Sequence, residues 1–271
     1  MSLFFLKPIL TVFLIAIISG LLGVFVLWKK MAYFGDAISH SMLLAVVLSV
    51  LLKTNQNLMF LLFAGVFAII CSTILHSKIF TRDSLVMILS YCSIASAFII
   101  SDVFLPNFNF TSYIFGDLMT VSWQEVTALA ILALIVVVYS FLFYKKILLI
   151  NIDSDLAKIE KIKIKIINIS LLTLLIITIA LTLQMVGVFL ITALLILPST
   201  IARIFARSPS AMMILSLLIA IIFSLFSFKV SEIYNLTISA TIVLTLIAVF
   251  LLSLFFKSIS KIFYEKLSTK K

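Results

Sequence analysis

Long apolar runs recur from one end of this chain to the other, separated by short basic segments. In hydrocarbon the backbone must satisfy its own hydrogen bonds, so runs of this length are stable there only as helices. Of the 271 residues, 64% are hydrophobic and 11% are charged, where soluble domains carry roughly a quarter charged residues. Mean hydropathy is +1.36. The chain is predicted to be an all-α polytopic membrane protein, with residues 1–271 forming a single transmembrane domain.

Nine candidate spans can be drawn, at about 8–28, 31–52, 58–76, 84–104, 124–144, 166–184, 186–203, 211–228 and 237–256. Each holds roughly the 17–25 residues that cross a bilayer core. The count is eight or nine, because Gln184 to Gly187 leaves almost no loop between two of them. The first run, Pro8 to Trp28, has no A-x-A-like cleavage site and is read as a retained helix. The stretch from Asn107 to Ser122 is too short and too polar to span, and belongs at the outer interface. KIEKIKIKII at 158–167 alternates with the period of a strand. Beside a membrane it is read instead as a cytoplasmic linker leading into a helix.

The basic residues choose the orientation. With the C-terminus in the cytoplasm, all of the 20 lysines and arginines except Lys7, Lys53 and Lys229 fall on the inner side. They lie in the turn at Lys29 and Lys30, at Lys78 and Arg82, in a loop at about 145–166, around Arg203 and Arg207, and in a tail at 257–271. The net charge of +10 is therefore a topology signal and an anionic-lipid contact, not a nucleic-acid footprint.

Within the second run stands Gly35-Asp36-Ala37-Ile38-Ser39-His40. Residues four apart share a helical face, so the Asp36 carboxylate and the His40 imidazole can converge on one small cation. On the orientation above, Asp36 lies roughly 8 Å into the core and His40 roughly 14 Å, near the midplane. Taken singly, Asp36 reads equally as a helix-start residue and His40 as a neutral imidazole bonded to a neighbouring helix. Together on one face in hydrocarbon they read as a functional site. A hard oxygen with a borderline nitrogen suits zinc or manganese better than calcium or alkali ions. Two protein ligands hold an ion weakly, which suits a transporter that must release it.

The stretch from Gly187 to Arg203, with Arg207 beyond, contains Pro198, which interrupts helical bonding near the inner end. Arg203 and Arg207 fall on one helical face outside the bilayer. Ser90, Ser93 and Ser96 make a small-residue face in the fourth span. They and Ser39 are read as either a polar wall of a path or helix packing. Cys71 and Cys92 lack C-x-x-C spacing and are read as packing thiols. His76 is read as an interfacial residue. The six glycines cannot form a P-loop, and no H-E-x-x-H is present, so ATP hydrolysis is not expected of this chain and energy must come from elsewhere.

GDAISHS resembles the G-D-A-[LI]-S-H motif of permeases in the manganese/zinc/iron family of ABC importers. GVFLITALLILPSTIARIFARS is similar to that family's G-x-L-L-x-x-A-L-L-[IL]-x-P-x-x-x-A-R stretch. SYIFGDLMTVS resembles its Y-[LI]-F-G-[DS]-[LI]-L segment at Tyr113, Phe115, Gly116 and Asp117, and NIDSDLAKIEKI loosely resembles a cytoplasmic D-x-x-x-A-x-x-x-G stretch with Glu160 near the expected glycine. The resemblance covers most of the chain and is strongest to the zinc-uptake permeases. The family's D-x-P-[ST]-G-x-x-I-V-L segment is met here by Tyr234-Asn-Leu-Thr-Ile-Ser-Ala240-Thr-Ile-Val-Leu244, which keeps the I-V-L end without the acid, proline or glycine.

The resemblance implies an ABC importer permease of the bacterial inner membrane, a homodimer with no permanently bound cofactor. It implies a separate ATP-binding cassette ATPase and an extracytoplasmic metal-binding protein as partners. Asp36 and His40 would line the ion path. The segment 199–210 would dock the ATPase, making Pro198, Ser199, Arg203 and Arg207 coupling residues. Zinc is the first choice of cargo, with manganese and then iron as alternatives. An intramembrane acid/base enzyme and a proton- or ion-gradient transporter are the other readings of the Asp36–His40 pair.

Overall fold

The computed structural model describes residues 5–74, 82–106 and 108–268, with no strand among them. His76 lies outside the described residues, as does the side chain of Cys71. The helices are α1 (Leu6–Trp28), α2 (Ala32–Leu51), α3 (Gln56–Ile74), α4 (Arg82–Phe104), α5 (Thr111–Phe115), α6 (Trp123–Ile152), α7 (Ser154–Ile159), α8 (Ile164–Phe205), α9 (Pro209–Tyr234) and α10 (Ile238–Ser268). All but α3, α5 and α7 are long and apolar enough to cross a bilayer. With 19 residues, α3 rises about 28 Å, also enough to cross.

Helix α8 has 42 residues; straight, it would reach about 63 Å, twice the hydrocarbon thickness. It is not straight. Gly187 sits at φ 77° and ψ 164°, a backbone region open only to glycine, and the chain turns back there. Near the start of α8, Asn168 accepts a hydrogen bond from Lys29. Near its end, Ala202 packs with Val24 and Met212, and the Trp28 indole donates to Met212 Sδ at 3.4 Å. Residues 24–29 are one corner of α1, so both ends of α8 reach the same end of the molecule. The unsettled boundary at Gln184–Gly187 is thus a hairpin with a one-residue turn. Counted this way, α1, α2, α3, α4, α6, the two halves of α8, α9 and α10 make nine crossings among the described residues.

At the opposite end, Gln184 donates to Gln56, Gln56 donates to the Tyr113 hydroxyl at 2.8 Å, and Ser239 bonds to Phe115. The corner holding Lys29 and the tips of α6 and α8 is the basic, inner end, and this one is the outer end.

In hydrocarbon little drives helices together except close packing, and small residues permit it. Helix α1 lies among α6, α8 and α9 and uses both of its glycines. A Cβ on Gly23 would sit 2.1 Å from the Leu195 carbonyl oxygen, and one on Gly20 would sit 3.0 Å from Leu217 Cα. The Ser216 hydroxyl of α9 donates to the Gly20 carbonyl at 2.7 Å. Buried hydroxyls elsewhere are mostly satisfied within their own helices, as Ser19, Thr178 and Thr182 are by carbonyls one turn back.

The inner and outer segments are more ordered than the sequence suggests. Helix α6 continues past the membrane to Ile152, and Asp153 caps α7 by accepting from Asp155 and Leu156 N–H. KIEKIKIKII becomes the end of α7, a turn at Lys161 with φ 56°, and the start of α8. The outer stretch 107–122 holds α5, a single short helix.

Candidate metal path

Helix α2 is packed against α4, α8 and α3, and most of its residues are buried. One line stays uncovered: Tyr33, Asp36, His40, Leu44 and Leu48 are exposed or half-buried at steps of three or four. The side chains of Asp36 and His40 are 46% and 34% exposed, whereas the residues between them are buried. Gly35 lets the first turn pass close to Leu195 of α8, whose Cδ1 is 3.4 Å from where a Cβ would be.

His40 Nδ1 lies 3.5 Å from Asp36 Oδ2. That is long for a hydrogen bond. Two ligands each about 2.0–2.1 Å from a tetrahedral ion stand about 3.3 Å apart, so the pair is spaced to share one. Among the described residues no group of three or more His, Cys, Asp or Glu comes together. Among the described residues this pair on α2 therefore has no third His, Cys, Asp or Glu beside it.

The serines separate from the pair. Ser39 is fully buried and its hydroxyl donates to the Gly35 carbonyl at 2.8 Å, so it packs rather than lines an opening. Ser90 is buried, and Ser93 donates to the Leu89 carbonyl at 2.9 Å.

At the inner end, Pro198 and Ser199 are buried in α8. Ser199 Oγ donates to Ile196 O at 2.9 Å, and it lies 3.4 Å from the Cβ position of Gly23. Neither residue has surface to give a partner; they shape the α1–α8 seam. Residues 199–205 stay helical, and only Ala206, Arg207 and Ser208 connect α8 to α9. The expected docking loop is therefore a helix tip and a tight turn. Ser208 caps α9 by accepting from Ala211 N–H at 3.2 Å, with Pro209 next, so the turn is firmly set. Arg203 and Arg207 are both exposed there.

Sequence reasoning missed the outer closure. Gly116 and Gly187, both with positive φ, pack against each other's backbone, and Ser239 bonds to both segments. The available signal was the pair of glycines in semi-apolar stretches near membrane boundaries. Which residue would meet them was not readable, because Ser239 arrives from far along the chain.

A nine-crossing helical bundle with an acid–imidazole pair on one uncovered helix face is the architecture of a multi-pass membrane protein. Residues 1–257 match the model of the ABC 3 transport family, and the chain belongs to that family. It is 33% identical over 206 residues to the high-affinity zinc uptake system membrane protein ZnuB of Haemophilus influenzae, covering 75% of this chain and 78% of that protein. It is 27% identical over 210 residues to the manganese import system permease protein ScaB of Streptococcus gordonii, covering 78% and 76%. Among solved structures, PsaBC from Streptococcus pneumoniae in complex with Fab superposes with a TM-score of 0.80 at 26% identity, covering 93% of this chain and 91% of that one.

Proposed function

We propose that this chain is the permease of a binding-protein-dependent ABC importer in the cytoplasmic membrane, carrying a divalent transition metal, with zinc as first choice. The observation that carries this reading is the Asp36–His40 pair, 3.5 Å apart on the one uncovered line of a buried helix. The names of its relatives support the cargo: a zinc uptake protein and, at lower identity, a manganese importer.

Charged groups facing lipid cost several kcal/mol, so the uncovered line needs a cover. A second copy supplies it. Two copies meeting along α2 about a twofold axis would bring two carboxylates and two imidazoles together, enough for a tetrahedral ion. A separate ATPase docks at the inner tip of α8, where Arg203 and Arg207 are free to meet an acidic surface, and an extracytoplasmic binding protein delivers the metal. Pro198 and Ser199 act by setting the angle of that tip. ATP binding then exposes the site to each side in turn.

The test is metal accumulation in cells lacking their own zinc importer and expressing this chain with its neighbouring ATPase and binding protein. Wild type restores zinc uptake, while Asp36→Asn and His40→Ala fail although they reach the membrane at normal levels. Uptake of manganese but not zinc would keep the mechanism and change the cargo. Normal transport by both variants would reject the ion-path assignment.

A further inference from the structure

At the outer end, three segments distant in sequence meet almost backbone to backbone. Gly116 has φ 71° and Gly187 has φ 77°. A Cβ on Gly116 would lie 2.4 Å from the Val186 carbonyl carbon, and one on Gly187 would lie 2.3 Å from the Ile114 carbonyl oxygen. No side chain fits between them. The chain just after α5 is therefore pressed onto the turn of α8.

Phe115 is the last residue of α5, so its carbonyl has no partner inside that helix. The partner comes from the first turn of α10. Ser239 Oγ lies 2.6 Å from Phe115 O and 3.1 Å from Val186 O. A hydroxyl has one proton, so it donates chiefly to Phe115, with the Val186 carbonyl as second acceptor. Ser239 is 3% exposed, so water does not stand ready to replace it. The Phe115 ring meets Phe189, the second residue past the turn, edge to face at 6.2 Å. On the outer side a cavity of about 360 Å³ opens beside Gly116, Asp117 and Asn235, while Ser239 at its edge stays buried.

The second half of α8 begins at this clasp and runs to Arg203 at the inner tip. We infer that Ser239 is a positioning residue of the transport cycle. Its hydroxyl fastens the end of α5 and the turn of α8 to the start of α10, so that displacement of α8 at its inner tip reaches the outer closure. It touches no metal and acts through the helix it holds. This rests on the importer reading above.

The experiment reconstitutes the full complex in liposomes with ATPase and binding protein, and measures zinc imported per ATP hydrolysed for wild type, Ser239→Ala and Ser239→Thr. Removing one buried hydrogen bond shifts an equilibrium by roughly five- to tenfold. The expected result is that Ser239→Ala keeps hydrolysing ATP while its zinc-to-ATP ratio falls by about that factor, and Ser239→Thr, which keeps the hydroxyl, stays within about twofold of wild type. Because the ratio is taken per ATP, a lower yield of assembled Ser239→Ala does not move it. An unchanged ratio in Ser239→Ala, even with reduced heat stability, overturns the proposal and leaves Ser239 as packing. A wild-type complex that hydrolyses ATP but imports neither zinc nor manganese overturns the importer reading itself, and is told apart by the wild-type arm alone.

Discussion

Helices α1 and α2 follow one another in the chain and both are long and apolar enough to cross a bilayer, yet the bundle treats them differently. Helix α1 is enclosed by α6, α8 and α9 and spends its glycines on close approach. Helix α2 is just as firmly seated on α3, α4 and α8, but it leaves one line uncovered, and that line holds its acid and its imidazole. On the proposed reading, the polar line of α2 is the face kept for another molecule, while the small residues of α1 serve the fold.

The contrast predicts that damage to α1 is read as lost stability and damage to α2 as lost transport. The largest effect is expected for Gly23→Ala, whose new Cβ meets the Leu195 carbonyl at 2.1 Å. Overpacking of this kind costs about 2–3 kcal/mol, and heating the detergent-solubilised protein should show it as a clearly lowered unfolding temperature. A Gly23→Ala protein as heat-stable as wild type would break the comparison on the α1 side.

His40→Ala comes next. Import should fall at least about tenfold, since a ligand is gone, while the unfolding temperature of the protein stays near that of wild type, as is usual for changes at uncovered positions. Should His40→Ala unfold early and transport normally, the α2 line would be structure and not path. A smaller effect is expected from Arg203→Glu combined with Arg207→Glu: copurification of the ATPase should weaken severalfold with no loss of permease from the membrane. Unaltered copurification would move the docking surface elsewhere.

The smallest effect concerns α7. Lys158 Nζ is 2.7 Å from Asp155 Oδ1, and the ammonium holds the carboxyl below its usual range while the carboxylate holds the lysine above its own. A lowered carboxylate stabilises above its unfolded value of about pH 4 and loses that contribution as pH falls through the lower folded value. The raised lysine contributes below its unfolded value of about pH 10.4 and loses that as pH rises further. The pair is therefore intact from about pH 5 to 9. Lys158→Ala should leave both import and its pH profile in that interval unchanged, as expected for a fully exposed pair.

Much of this was legible in the chain. Apolar runs, bounded by lysines, located the spans, because a bilayer imposes a length and a charge asymmetry that composition alone reveals. The Asp36–His40 spacing located the pair, because i,i+4 geometry is local. Contacts between distant segments were not legible. Nothing near Gly23 says that it will face the Leu195 carbonyl, or near Ser216 that its hydroxyl will reach Gly20. The docking loop shrank to Ala206, Arg207 and Ser208 because Pro198, drawn as an interruption, sits inside a continuing helix. The departure noted around Asn235–Leu244 acquires content only in three dimensions, where Ser239 meets Phe115 and Val186.

The hairpin in α8 bears on how the chain enters the membrane during synthesis. From Ile166 to Ala202 the sequence has no charged residue, and the only reversal is Gly187, whose segment is covered by residues 114–116. Insertion machinery that sorts segments by their charged flanks finds none between these two halves. They must partition into lipid as one unit, their orientation set by Lys163 and Lys165 before them and Arg203 and Arg207 after. An epitope tag or reporter placed at 187 would force a polar loop where none exists, so the topology of this pair has to be read from its two inner flanks.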